Sequence, residues 1–142
     1  MKQEEKELLL IDLCARALYG VKIHLETPKY GELIGTLDAI YPTEDRVIVD
    51  NLDKAIAPIN VRYGGFKIEE NKVKPYLRPM SIMTEEEKEE YKDLLYCIKY
   101  ADNTLLAVNL FISWLNTHHF DYHGLIEKGI ALPAPEGMYQ NK

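Results

Sequence analysis

The sequence predicts an α+β fold in a single domain spanning residues 1–142, and three observations carry that prediction. Apolar residues recur at helical spacing up to Gly20, alternate one by one from Val21, and return to helical spacing after Pro79. Turn chemistry punctuates the middle of the chain: Thr27-Pro28-Lys29-Tyr30-Gly31, Pro42-Thr43-Glu44-Asp45, Gly64-Gly65 and Asn71. Thr84-Glu85-Glu86-Glu87 is a capping box that opens a helix. The chain accordingly divides into an N-terminal helix (1–20), a β-rich part (21–78), a helical unit (79–129) and an extended tail (130–142).

Glu4 to Leu18 form the opening helix. Leu9, Leu10, Leu13 and Ala17 supply its apolar face, Glu5, Lys6, Asp12 and Arg16 its polar face, and Gly20 its stop. Val21, Ile23 and Leu25 alternate with Lys22, His24 and Glu26, as a half-buried strand requires. Further strands are expected around Leu33–Tyr41, Arg46–Asp50, Ile59–Tyr63, Phe66–Glu69 and Val73–Leu77, the last an edge strand because of Pro75. So many short strands predict a small antiparallel β-barrel or bent sheet, SH3-like or OB-like. Behind the Thr84 cap a helix runs to about Tyr100, and Asp102-Asn103-Thr104 breaks the chain before a second one, Leu105 to about Thr117. That second helix is apolar over most of its circumference, so it is buried on two sides or supplies a homo-oligomer interface. Asp121 is expected to cap a short third helix, Tyr122–Lys128, closed by Gly129.

Composition sets limits on function. With 46% apolar residues the chain can bury a real core. Cys14 and Cys97 have no metal or redox spacing and are expected to be buried, reduced thiols. Met1 to Glu7 mixes charges of both signs, and the run Leu8–Ile11 breaks at Asp12, so neither a leader nor a membrane span is expected and the cytoplasm is the expected compartment. Of the net charge of −6, five units fall in residues 79–142, whereas residues 21–78 hold nine acidic and nine basic side chains. No Lys/Arg cluster matches a phosphate backbone, which disfavours general nucleic-acid binding.

The candidate chemistry is sparse. His118-His119-Phe120-Asp121-Tyr122-His123 holds metal-ligand types, but the spacing crosses a helix end and places no two ligands on one helix face, so no metal is expected. The glutamates of 85–90 read as a solvated helix start, and no nucleophile elbow or phosphate-cradling loop occurs, so neither catalytic residues nor a cofactor are expected. Lys72 to Met80 is more informative: it sets Lys74, Tyr76 and Arg78 on a Pro-punctuated extended stretch between sheet and helices. Arg forks onto phosphate or carboxylate and Tyr stacks on a base. Lys74, Tyr76 and Arg78, joined by His119, are therefore the candidate ligand-binding residues.

Residues 73–81 (VKPYLRPMS) running into 83–88 (MTEEEK), with 114–116 (WLN), 119–122 (HFDY), 124–129 (GLIEKG) and 134–139 (APEGMY), resemble the signature of a family of small proteins from phages and prophages of gut Bacteroidales. Residues 13–16 (LCAR) and 19–21 (YGV) resemble its opening. The chain departs from that pattern at Leu18, where proline is common, and at His123, where arginine is common. The resemblance implies a phage or prophage accessory protein acting in the bacterial host. With no catalytic motif, the expected role is stoichiometric binding, either of a host protein or of a small nucleotide signal sequestered against host defence. The alternatives are a nucleic-acid-associated protein using the barrel and a small enzyme. Capping and packing account for most of the helical signature, so the β-rich middle is expected to hold the ligand.

Overall fold

The computed structural model describes residues 1–54 and 65–139, so the strand expected at Ile59–Tyr63 lies outside the described residues. The elements run α1 (Gln3–Arg16), β1 (Lys22–Thr27), β2 (Gly31–Tyr41), β3 (Arg46–Asp50), β4 (Phe66–Lys67), β5 (Lys74–Leu77), α2 (Glu85–Tyr100), α3 (Thr104–Thr117) and β6 (Leu132–Pro133). The fold is α+β, as the periodicity predicts. The strands form one open sheet in the order β4-β3-β2-β1-β5-β6, antiparallel except for the parallel pair β5–β6. Of the two forms expected, the bent sheet is the one adopted.

Turn chemistry sets the register. Between β1 and β2 the Thr27 hydroxyl accepts from the Tyr30 amide at 2.7 Å and donates to the Gly31 carbonyl at 3.0 Å, and Gly31 takes φ 75°. Ile23 then stands opposite Gly35 and Leu25 opposite Leu33. β2 is bulged between Leu37 and Ala39, which re-aims its second half toward β3. Side chains alternate, so Ile23, Leu25, Leu33 and Leu77 face the core, while Lys22, His24, Lys74 and Tyr76 lie on the other face.

The core face packs on α1 through Leu9 and Leu13, with Leu125 and Ile130 closing one end. Lys6 fixes the start of α1 across the far end of the sheet, bridging Asp45 at 2.6 Å and Glu69 at 3.1 Å. The inward face of α1 follows the spacing Leu9, Asp12, Leu13, Arg16, and all four are fully buried. Asp12 and Arg16, expected on the polar face, are therefore interior. The helix ends at Arg16 rather than Leu18, and Gly20 takes φ 71°.

A second apolar cluster of Met83, Leu115 and Phe120, flanked by Tyr91, Phe111 and Trp114, joins the base of the α2–α3 hairpin to the body. Thr84 and Glu87 make the predicted capping box, and Asn103 caps α3 by accepting from the Leu106 amide at 3.0 Å. The third helix does not form. Asp121 accepts from the amides of Leu125 at 2.8 Å and Ile126 at 3.0 Å, and this caps a turn that Gly129 closes at φ 77°. The stretch is too short to propagate a helix once Leu125 is committed to the core. Both cysteines are exposed rather than buried, because they lie on the outer faces of α1 and α2.

Gly35 marks the tightest approach in the sheet. A Cβ there would stand 2.5 Å from Val49 Cγ1 and 2.6 Å from the Asp50 carbonyl oxygen, and the backbone oxygen cannot move without breaking the β2–β3 ladder. Gly35→Ala is expected to cost about 1–3 kcal/mol, read as a lower urea midpoint at unchanged slope.

Candidate functional site

Of the four residues singled out in the sequence, the structure gathers three around one seam and leaves the fourth apart. The seam is the segment 118–123, which follows α3 and lies beside the end of β5. The Arg78 amide donates to the His119 carbonyl at 2.7 Å, and the Asp121 amide returns to the Arg78 carbonyl at 2.9 Å. The Arg78 guanidinium forks onto Glu87, with Nη1 at 2.9 Å from Oε2 and Nη2 at 2.8 Å from Oε1. It also reaches the His118 carbonyl at 3.2 Å and sits 4.4 Å above the Phe120 ring. This bidentate pair is nearly closed off from water, with side-chain exposures of 15% and 10%, and Arg78 holds the Glu87 carboxyl below its ordinary range. The donors that would meet a ligand phosphate are thus engaged by the chain's own carboxylate.

His119 and Tyr76 are structural in the same sense. The His119 ring stacks on Tyr139 at 3.7 Å between centroids. The Tyr139 hydroxyl donates to the Tyr76 carbonyl at 2.7 Å and accepts from the Lys22 amide at 2.7 Å. The tail is thereby fastened to β5 and β1. Burial, with Arg16, Arg78, His118 and Lys22 nearby, pushes His119 down to about 4, and burial raises the Tyr139 phenol above its ordinary range. Tyr76 is buried edge-on to His24 at 6.0 Å. Lys74 stands elsewhere, lining a pocket of about 350 Å³ with Lys72 and Lys128 that also carries Glu5 and Glu69 and has no aromatic side chain.

Arg16 is the residue that sequence reasoning undervalued. Its Nε donates to Asp12 Oδ2 at 2.7 Å and its Nη2 to Asp12 Oδ1 at 3.0 Å and to the Phe120 carbonyl at 2.6 Å. His123 Nδ1 lies 2.7 Å from the same Asp12 Oδ1. The signal was available in the i, i+3, i+4, i+7 spacing of Leu9, Asp12, Leu13 and Arg16.

Beyond the Lys74 pocket and a shallow recess bearing Glu26, Glu32, Glu70 and Lys72, two concavities stand out among the described residues. A groove of about 800 Å³ runs between the start of α2 and the tail, bordered by Arg78, Thr84, Glu86, Glu90, His118 and Glu136. Among the described residues its only guanidinium is the one held by Glu87, and the other charged side chains on its border are carboxylates. The second is a pocket of about 330 Å³ at the far end of the sheet, formed by the β1–β2 turn, the start of β3, β4 and the turn after it. Among the described residues its charged lining is Lys29, Arg46, Lys67 and Glu70.

The walls of this pocket are fixed locally. Thr27 orders the first turn, as above, and Lys29 Nζ sits 5.4 Å over the Tyr30 ring. Asn71 Nδ2 and its amide both donate to the Lys67 carbonyl, at 2.8 and 3.1 Å, while its carbonyl accepts from Glu26 at 2.8 Å. Gly65 is required at the rim: it has φ 64°, and a Cβ would stand 2.6 Å from the Val47 carbonyl oxygen. Among the described residues no three His, Cys, Asp or Glu side chains converge as metal ligands, and no helix is long and apolar enough to cross a membrane.

No protein-family model, curated protein or solved structure matches the chain.

Two outcomes follow from the seam. Arg78→Gln leaves the buried Glu87 without its counter-charge and is expected to lower stability by about 3–5 kcal/mol in urea unfolding. His119 binds its proton more weakly folded than unfolded, so the unfolded chain takes up more protons between pH 6.5 and about 4. Its contribution to stability is complete above that window and declines as pH falls through it. His119→Asn, which tolerates the positive φ of 61° at this position, should flatten that part of the stability–pH curve.

Proposed function

We propose that the chain is a non-catalytic accessory binding protein that sequesters a small phosphorylated ligand of nucleotide type in the pocket between the β1–β2 turn and β4. One observation carries this reading. In a chain of net charge −6, three cations, Lys29, Arg46 and Lys67, gather with Tyr30 around one concavity whose described lining holds one carboxylate, Glu70, with Glu44 3.8 Å from the Arg46 Nε beside it. Cations on low-dielectric walls concentrate an anionic ligand even when the whole molecule is acidic. Tyr30 offers a ring on which a base can stack. A volume of about 330 Å³ is at the lower end of the range for small-molecule sites.

The phage signature supplies the setting: a small protein that titrates a signalling nucleotide needs affinity and abundance, not turnover. The residues with catalytic potential elsewhere have structural partners: Glu87 is held by Arg78 and Thr84, His123 by Asp12, and the His118 Nδ1 atom by the Trp114 carbonyl at 2.9 Å.

Calorimetric titration of the purified protein with nucleoside mono-, di- and triphosphates and cyclic dinucleotides tests the proposal. One of these ligands is expected to bind with one site per chain. Lys29→Glu combined with Lys67→Glu should weaken it at least ~10-fold, with far-UV circular dichroism unchanged. Absence of binding across the panel, or equal binding by the folded double variant, would refute it. A protein recovered instead by pull-down, and lost on Glu86→Lys with Glu136→Lys, would move the function to the groove beside α2.

A further inference from the structure

The pocket between the β1–β2 turn and β4 has two chemically different ends. Arg46 and Lys67 stand directly opposite one another in the β3–β4 pairing, so their side chains leave the same face and make one end cationic. Glu70 lies three residues beyond Lys67, on a turn that the Asn71 carbonyl ties to the Glu26 amide at 2.8 Å. That bond sets Glu70 beside the end of β1, where a shallow recess brings it together with Thr27, Pro28 and Gly31 of the β1–β2 turn. Tyr30 belongs to the same turn, so the second end carries an aromatic ring and a carboxylate. The neighbouring acids are all paired: Glu26 with Lys72 at 3.7 Å, Glu44 with Arg46 at 3.8 Å and Glu69 with Lys6 at 3.1 Å. The Glu70 carboxylate is exposed and makes no ion pair or hydrogen bond among the described residues. We propose that Glu70 reads the base of the bound nucleotide and makes the pocket selective for guanine.

Guanine selection rests on this pocket being the nucleotide site. A bare carboxylate on the wall of an anion pocket opposes the phosphate it helps to enclose, unless the ligand brings hydrogen-bond donors to it. An ionised carboxylate only accepts, through two oxygens. Guanine presents two adjacent donors on its Watson–Crick edge, N1–H and the exocyclic amino group, and so engages both oxygens in charge-assisted bonds. Adenine and cytosine set one amino donor beside a ring-nitrogen acceptor, and uracil sets one imide donor between two carbonyls. Each of these turns at least one lone pair toward Glu70. A site built to bond two donors rejects a base that lacks them. The turn that carries Glu70 is also fixed in advance: the Asn71 amide and Nδ2 both bond to the Lys67 carbonyl, and the Val73 amide to the Ile68 carbonyl at 3.0 Å. Little backbone freedom is therefore lost when a base docks. A base stacked on Tyr30 keeps its edge free to meet a carboxylate from the facing turn. Among the described residues the lining is all sheet and turn, and α3 stands apart, with Leu105, Leu106 and Leu110 more than half exposed rather than buried on two sides.

Calorimetric titration of the full chain with a series of nucleoside diphosphates tests this. GDP is expected to bind at least ~10-fold more tightly than ADP, CDP or UDP. Inosine diphosphate, which keeps N1–H but lacks the amino group, should fall between GDP and ADP. 2′-Deoxy-GDP should bind like GDP, because the contact is to the base and not to the ribose. Glu70→Gln, which offers one acceptor and one donor, should lower GDP affinity at least ~10-fold while ADP binds no more weakly than before. Equal affinities for GDP and ADP, a loss on 2′-deoxy-GDP as large as that on ADP, or an unchanged GDP preference in folded Glu70→Gln would overturn guanine selection and leave the pocket a nucleotide site. The wild-type series decides the matter by itself if the variant fails to fold. If none of the diphosphates binds, guanine selection is overturned; if the wider nucleotide panel is also without effect, the pocket falls with it.

Discussion

The architecture depends on how the segment 118–123 is held between two arginines. Arg16 approaches it from α1 and takes the Phe120 carbonyl; Arg78 approaches from β5, covers the Phe120 ring and takes the His118 carbonyl. Each guanidinium brings its own carboxylate, Asp12 on one side and Glu87 on the other. Neither charge is therefore left alone in a low-dielectric interior, where an unpaired ion would cost several kcal/mol. The segment has no regular secondary structure of its own and places His119 at positive φ, so its conformation is imposed by these partners. Through it α1, the sheet and the helical hairpin are fixed to one another.

The same constraint explains why the residues that looked most ligand-like are not available to a ligand. A lone arginine on an extended stretch reads as an anion receptor, and a glutamate in an acidic run reads as solvated. Their fork-to-fork pairing depends on a tertiary contact between Arg78 and Glu87, nine residues apart and on different elements. A carboxylate that is already hydrogen-bonded to the capping box amide of Thr84 at 2.9 Å is pre-oriented to receive a guanidinium, so the pair forms with little further loss of side-chain freedom. At the opposite end Arg46 has a carboxylate of its own, with Nε 3.8 Å from Glu44. Lys67 makes no ion pair among the described residues, and Lys29 rests on Tyr30.

Much of the fold was legible because it rests on local chemistry. The alternation from Val21, the Thr27–Gly31 turn, the Thr84 capping box and the left-handed Gly129 are each decided by a few neighbouring residues, and each holds. What was not legible involves long-range partners. Asp12 and Arg16 sit at core spacing beside Leu9 and Leu13, yet their charge directs a reader to solvent, since only the distant Phe120 and His123 make burial tolerable. Asp121 shows cap chemistry without a helix, because a cap satisfies amides whether or not the turn after it continues. For the candidate site, the sequence pointed to the β-rich part as a whole but not to Lys29, Arg46 and Lys67. These lie in three separate stretches, and pairing of β3 with β4 places Arg46 directly opposite Lys67.

The parallel pairing of β5 with β6 gives the helical unit its place in this plan. Two parallel neighbours cannot be joined by a tight turn, because the chain must leave one end of the sheet and return to the other before it can pair again. Here the excursion from Leu77 to Leu132 contains the whole α2–α3 hairpin and the pinned segment 118–123. Both ends of the excursion are anchored, at Arg78 on the way out and at Tyr139 after the return, whereas the hairpin tip between them touches little. An element inserted in this way can present a bare apolar surface without loosening the sheet, since strain at the tip has to pass through the arginine-bound seam before it reaches a strand. The pocket with Lys29, Arg46 and Lys67 is built instead from the β1–β2 turn, the start of β3 and β4, the strand at the opposite edge of the sheet. The fold thus keeps apart an acidic, apolar-tipped helical arm and a cation-lined pocket, and the two arginines at the seam are what tie both to the same sheet.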